Sequence, residues 1–147
     1  MTPSTLLRYG LSGLMLTACL IVAGPVIAET IAFKANLGGN SEVPANDSKG
    51  KGTVTATYDT ATKKLSWKGD YSGLSGPATM AHFHGPAAPD KNAAVALPIV
   101  PSTSPFEGSA TLTAPQAAQL MAGQWYVNVH TAAFPAGEIR GQVAKAK

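Results

Sequence analysis

From Thr30 onward, apolar and polar residues alternate in short runs, and a period of two marks strands with one buried face. Val, Thr, Ile, Trp and Tyr are frequent within the runs, while Gly, Pro, Asn and Asp fall between them. The pattern predicts strands over residues 31–37, 52–58, 64–71, 78–84, 93–100, 106–113, 125–131 and 138–144. Gly38-Gly39-Asn40-Ser41 and Asn46-Asp47-Ser48-Lys49-Gly50 tolerate turn conformations, and Asp59-Thr60-Ala61-Thr62 reads as a tight hairpin connection. One helix is expected, over 114–123: Thr113 can cap it, Pro115 suits its first turn and Gly123 can end it. This inventory predicts an all-β fold, an antiparallel, Greek-key-like β-sandwich with one short crossover helix.

Upstream of Thr30 the texture changes. Arg8 is the only charge before Glu29, an apolar run extends from Leu11 to Ile27, and Val26-Ile27-Ala28 supplies small residues for cleavage. A signal peptide over residues 1–28 and a mature domain over 29–147 are expected, with export to the periplasm or the extracellular space. The run is near the lower limit of about 17–25 residues for a membrane span. Gly24 and Pro25 interrupt it, which favours cleavage, so no span is expected to remain. Leu16-Thr17-Ala18-Cys19 also fits a bacterial lipobox, making a lipid on Cys19 the alternative. Leu20 to Ala28 then stay apolar where such anchors usually lead into a polar tether.

Without the leader, 119 residues remain, with ten basic and eight acidic side chains. So small and dispersed a positive balance argues against a nucleic-acid partner, which would need a clustered basic stripe. No cysteine remains, so disulfides, a thiolate nucleophile and a sulfur-rich zinc site are all excluded from the mature domain. Its stability must come from its core. No serine–histidine motif, paired-carboxylate signature or Gly-rich phosphate loop is present.

The candidate chemistry lies in the three histidines. In a strand, Met80, His82 and His84 share one face, while Thr79, Ala81 and Phe83 share the other. Likewise Trp125, Val127 and Val129 oppose Tyr126, Asn128 and His130. All three imidazoles therefore leave their strands on the less apolar face, each beside a loop. If the two strands pair, the rings converge. Neutral imidazole suits copper, zinc, iron or nickel. In an oxidising compartment copper is the first candidate and zinc the lesser one, with Met80 as an additional soft donor for Cu(I). The alternative is that the rings only hydrogen-bond to neighbouring loops. Arg140 could hold an anion near the histidines, or form a salt bridge to Glu42 or Glu138. Glu42 itself reads as part of a loop lip. Trp67 fits either the core or a carbohydrate platform, and Asn46-Asp47-Ser48 fits a glycosylation acceptor.

The segments "LGGNSEVPAN", "GTVTATYD", "LSWKGDYSGLSGPATMAHFHGPA" and "GQWYVNVHTAAFPAGEIRGQV" together resemble the CHRD (chordin-type) domain, over roughly Ala32 to Val143. The resemblance implies a small extracellular β-sandwich and brings no established biochemical activity. Copper–zinc superoxide dismutase is similar at a greater distance, with an H-x-H on one strand, a further copper histidine on a late strand and a C-terminal arginine that guides superoxide. His82, His84, His130 and Arg140 follow that order. A fourth copper histidine and a disulfide have no counterpart here. The expectation is a non-catalytic binding module with a copper site at the three histidines and a protein or envelope partner. A copper-dependent dismutase-like enzyme with Arg140 as anion guide is one alternative, and a structural envelope or matrix protein without metal is the other.

Overall fold

A computed structural model of the chain describes residues 27–147. The expected leader, with Arg8 and Cys19, lies outside them except for its last two residues. The strands are β1 (Thr30–Gly38), β2 (Lys51–Asp59), β3 (Lys64–Ser72), β4 (Ala78–His84), β5 (Val95–Pro98), β6 (Phe106–Thr111), β7 (Tyr126–Thr131), β8 (Ile139–Gln142) and β9 (Ala144–Lys145). The helix α1 spans Ala114–Met121, and a short 3-10 turn spans Gly39–Ser41.

Every pairing is antiparallel, and the strands follow one path, β5-β4-β7-β8-β1-β2-β3-β6, with β9 also on β1. The two layers are thus halves of one curled sheet. The curl is visible in the packing: Trp67 of β3 meets Phe83 of β4 edge to face at 5.1 Å, although their strands belong to opposite halves of the path. Leu65, Phe83, Trp125, Val127, Val129 and Ile139 are fully buried between the halves. Each such side chain contributes roughly 1.5–3 kcal/mol on burial. Trp67 belongs to this core, at 5% exposure, so it offers no carbohydrate platform.

Three expected elements change length for local reasons. The run 93–100 forms a strand only over Val95–Pro98, beside a register shift in β4 between Phe83 and His84. The run 106–113 stops early because Thr113 caps α1: its hydroxyl accepts from Gln116 N–H, and the Gln116 side chain accepts from Thr113 N–H. The run 138–144 divides at Val143, whose N–H donates to the Trp125 carbonyl. The helix crosses from the β6 edge to β7 in the other half, buries Leu120, and is followed by Gly123 at φ +71, a left-handed conformation that glycine adopts without strain. Among the described residues, no helix is long and apolar enough to cross a membrane.

Candidate metal centre

The register of β4 against β7 places Met80 opposite His130, His82 opposite Asn128, and His84 opposite Tyr126. Opposed residues share a face. On β8, Arg140 stands opposite Asn128 and Gln142 opposite Tyr126, which extends the same face by a third strand. The other face sends Ala81, Phe83, Val127, Val129 and Ile139 into the core, as the alternation predicts.

The outer face is not left in water. The loop between β4 and β5 folds over it: Ala93 O accepts from His84 Nδ1, Ala93 N–H donates to the Tyr126 hydroxyl, and the Pro89 and Lys91 carbonyls accept from Arg140. The Asn92 amide ties this roof to Val43 O. His84 and His130 are in consequence only 8% and 6% exposed, and His82 is half-buried.

Two rings are oriented from behind. His84 Nδ1 lies 3.0 Å from Ala93 O, and His130 Nδ1 lies 3.0 Å from Pro135 O. A carbonyl only accepts, so each Nδ1 carries the proton and each neutral ring keeps its lone pair on Nε2. His130 Nε2 stands 3.2 Å from His82 Nδ1, and one donor nitrogen from each of the three rings lies within 4.8 Å of the others. Nitrogens bound at about 2.0–2.1 Å in a tetrahedral shell lie roughly 3.3 Å apart. The His82–His130 pair already has that separation, and the wider spread is what the rings must close. Burial lowers the His82 pKa, helped by the neighbouring His130 and His84. Burial also lowers that of His84, against the Ala93 hydrogen bond that favours its charged form. Both effects keep lone pairs free for a metal. Met80 is half exposed at the rim beside His130.

Arg140 departs from both expectations. It is 1% exposed, and its guanidinium donates to Asn92 Oδ1, Pro89 O and Lys91 O at 2.9, 3.2 and 2.7 Å. Its Cζ sits 3.5 Å from the centre of the Tyr126 ring, and Tyr126 stacks on His84 at 4.9 Å. Tyr126 therefore stands between the cation and the His84 ring, and the guanidinium is engaged by the loop instead of being presented to solvent. Neither expected salt bridge forms: among the described residues the ion pair within 4 Å is Lys91–Asp90. Glu138 is fully buried and accepts instead from Ser48 Oγ, Ser75 N, Ser75 Oγ and Thr131 Oγ1. Burial pushes its carboxyl up, and these hydrogen bonds hold it below the ordinary value.

Two residues carry more here than their place in the sequence assigns them, one in the neighbouring loop and one on this face. Glu42 is 7% exposed, and burial, only partly countered by Arg140 and the Val43 N–H, raises its carboxyl to about 7. Asn128 is 3% exposed, with its Oδ1 buried and unpartnered. The signal for Asn128 was present in "YVNVH", a polar side chain between two outward-facing aromatic residues. Asn46 donates to the Gly137 and Glu138 carbonyls, which gives the expected acceptor asparagine a structural use.

A family model of the CHRD domain matches residues 33–143, well over half of the chain. The chain belongs to the CHRD family. The matched span of this CHRD domain runs from β1 through β8 and includes all three histidines. No curated protein and no solved structure matches the chain.

Proposed function

We propose that this CHRD domain is an exported, non-catalytic binding module that holds copper, with zinc as the lesser candidate, through His82, His84 and His130. The observation that carries the reading is His84 Nε2: it is buried, has no hydrogen-bond partner, and belongs to a ring whose other nitrogen is already committed to Ala93 O. A purely structural histidine would leave that lone pair unused in a place that water does not reach. Met80 adds a thioether at the rim for Cu(I). Export rests on the leader-like composition of residues 1–28, and the partner is a protein or envelope component of the same compartment.

One observation favours the structural alternative. His82 Nδ1 and His130 Nε2 satisfy one another without a metal, and both Nδ1 anchors hold loops in place. The dismutase-like alternative gains nothing comparable, because Arg140 is roofed and engaged. Metal analysis of protein purified from the periplasm, followed by copper titration of the wild type and the histidine variants, separates the readings. Stoichiometric metal lost in all three variants supports the module, and metal-free protein with unchanged titrations rejects it.

A further inference from the structure

On the outer face of β4 and β7, Asn128 is the position that neighbours all three histidines. It is directly opposite His82, two residues from His130 along its own strand, and diagonal to His84. It is almost wholly buried, its Oδ1 has no hydrogen-bond partner, and the same is true of His84 Nε2. The amide and the His84 ring are thus neighbours on one strand face. With its proton on Nδ1, neutral His84 has nothing to donate from Nε2, and an amide oxygen has no proton at all. Two buried acceptors without a partner thus lie on one strand face, a cost that a positive centre between them relieves. A metal ion accepts both lone pairs at once.

The other end of the amide is held away from the rings. Asn128 Nδ2 and Glu42 Oε1 lie 2.7 and 2.5 Å from the point where a Cβ on residue 137 would stand. That residue is Gly137, at φ +134, and its missing side chain leaves room for both groups. The nitrogen of the amide accordingly lies on the Gly137 side, in the same gap as the Glu42 carboxyl.

We infer that Asn128 Oδ1 is the fourth donor of the histidine centre, and that three imidazole nitrogens with one amide oxygen select a divalent ion, Cu(II) or Zn(II), over Cu(I). The inference rests on the metal-binding reading above and adds the donor that decides oxidation state. An amide oxygen is a hard ligand and contributes little to Cu(I), which favours nitrogen and sulfur. Met80, half exposed, is the soft donor that Cu(I) would use instead.

The test titrates Cu(II), Zn(II) and Cu(I) separately into the purified chain and its Asn128→Leu and Asn128→Asp variants, with electron paramagnetic resonance of the Cu(II) forms. Asn128→Leu is expected to weaken both divalent ions by roughly ten- to hundredfold, the range for removing a group that supports a metal shell, while leaving Cu(I) within about twofold. Asn128→Asp is expected to tighten the divalent ions, and both variants to change the Cu(II) spectrum. If Asn128→Leu does not fold, the aspartate variant and its spectrum carry the test alone. Divalent affinity and Cu(II) spectra that match wild type in a folded variant overturn the amide donor. Binding that is lost in His84→Ala yet indifferent to Asn128 leaves the histidine site intact and rejects only this inference. A wild-type chain that takes up no metal rejects both.

Discussion

His82 Nδ1 lies 3.2 Å from His130 Nε2, across the pairing of β4 with β7. This contact serves equally as a hydrogen bond between rings and as one edge of a metal shell, so variants must tell the two roles apart. Replacing His82, His84 or His130 singly by alanine is expected to weaken copper by about a hundredfold or more. Met80→Leu is expected to weaken Cu(I) alone. His84→Ala and His130→Ala also release a loop carbonyl, at about 0.5–1.5 kcal/mol each. Variants that bind copper like wild type and merely melt earlier would show the rings to be loop ties.

Acid should empty the site. The pKa values of His82 and His84 are both lowered from 6.5, so their rings stay neutral through neutral pH and protons compete for the lone pairs only below it. The metal-free fold should follow the same sign. Folded values below the unfolded one mean that stability is full above about pH 6.5 and falls as pH drops through the lowered values. Urea melts of metal-free protein at two pH values either side of that point, with and without the histidines, check it.

Glu42 should have the opposite sign. Its carboxyl is raised from 4.5 to about 7, so its favourable term is complete below 4.5 and is lost as pH rises through 7. Each tenfold displacement of a proton equilibrium is worth about 1.4 kcal/mol, and the whole effect is on the order of 2 kcal/mol once partial solvent screening is allowed for. Glu42→Gln is expected to be relatively more stable at pH 8 than at pH 5 when each is compared with wild type. A difference independent of pH would contradict the burial of this group as an acid.

Glu138→Ala removes the acceptor shared by Ser48, Ser75 and Thr131. Stranding these donors in a fully buried place is expected to cost roughly 3 kcal/mol or more, read as a drop in the urea midpoint. Glu138→Gln keeps one acceptor oxygen and should lose less. Equal losses for the two substitutions would point to packing rather than hydrogen bonding.

The mature chain is expected to begin at Glu29. Intact mass spectrometry of exported protein gives the answer, and a lipid-bearing Cys19 followed by Leu20 to Ala28 would replace this reading.

The inward and outward faces of β4 and β7 were legible because alternation in a strand does not depend on what covers it. Phe83 therefore reads as core, and His82 and His84 as outer face, from the heptapeptide alone. The fate of that outer face was not legible. Its cover is a loop rich in proline and alanine whose path is fixed by hydrogen bonds such as Arg140 to the Lys91 carbonyl, 49 residues away in sequence. No local pattern encodes such a partner. The same loop turned Arg140 from an accessible cation into a buried one, engaged by the Pro89 and Lys91 carbonyls. The helix cap was readable for the converse reason: Thr113 and Gln116 are three residues apart.

The first and last strands of this domain are neighbours. Gly38 pairs with Arg140, Lys34 with Ala144 and Phe33 with Lys145, all in one register. The consequence concerns time. A chain that emerges N-terminus first, from a ribosome or through a membrane pore, keeps one side of β1 open until residues 139–145 arrive. Pairings this distant in sequence are slow to form, and an unpaired strand side is exposed to proteases and to stray partners while it waits. Closure therefore needs both ends of the domain, and it can occur only when the whole domain has been delivered to one compartment.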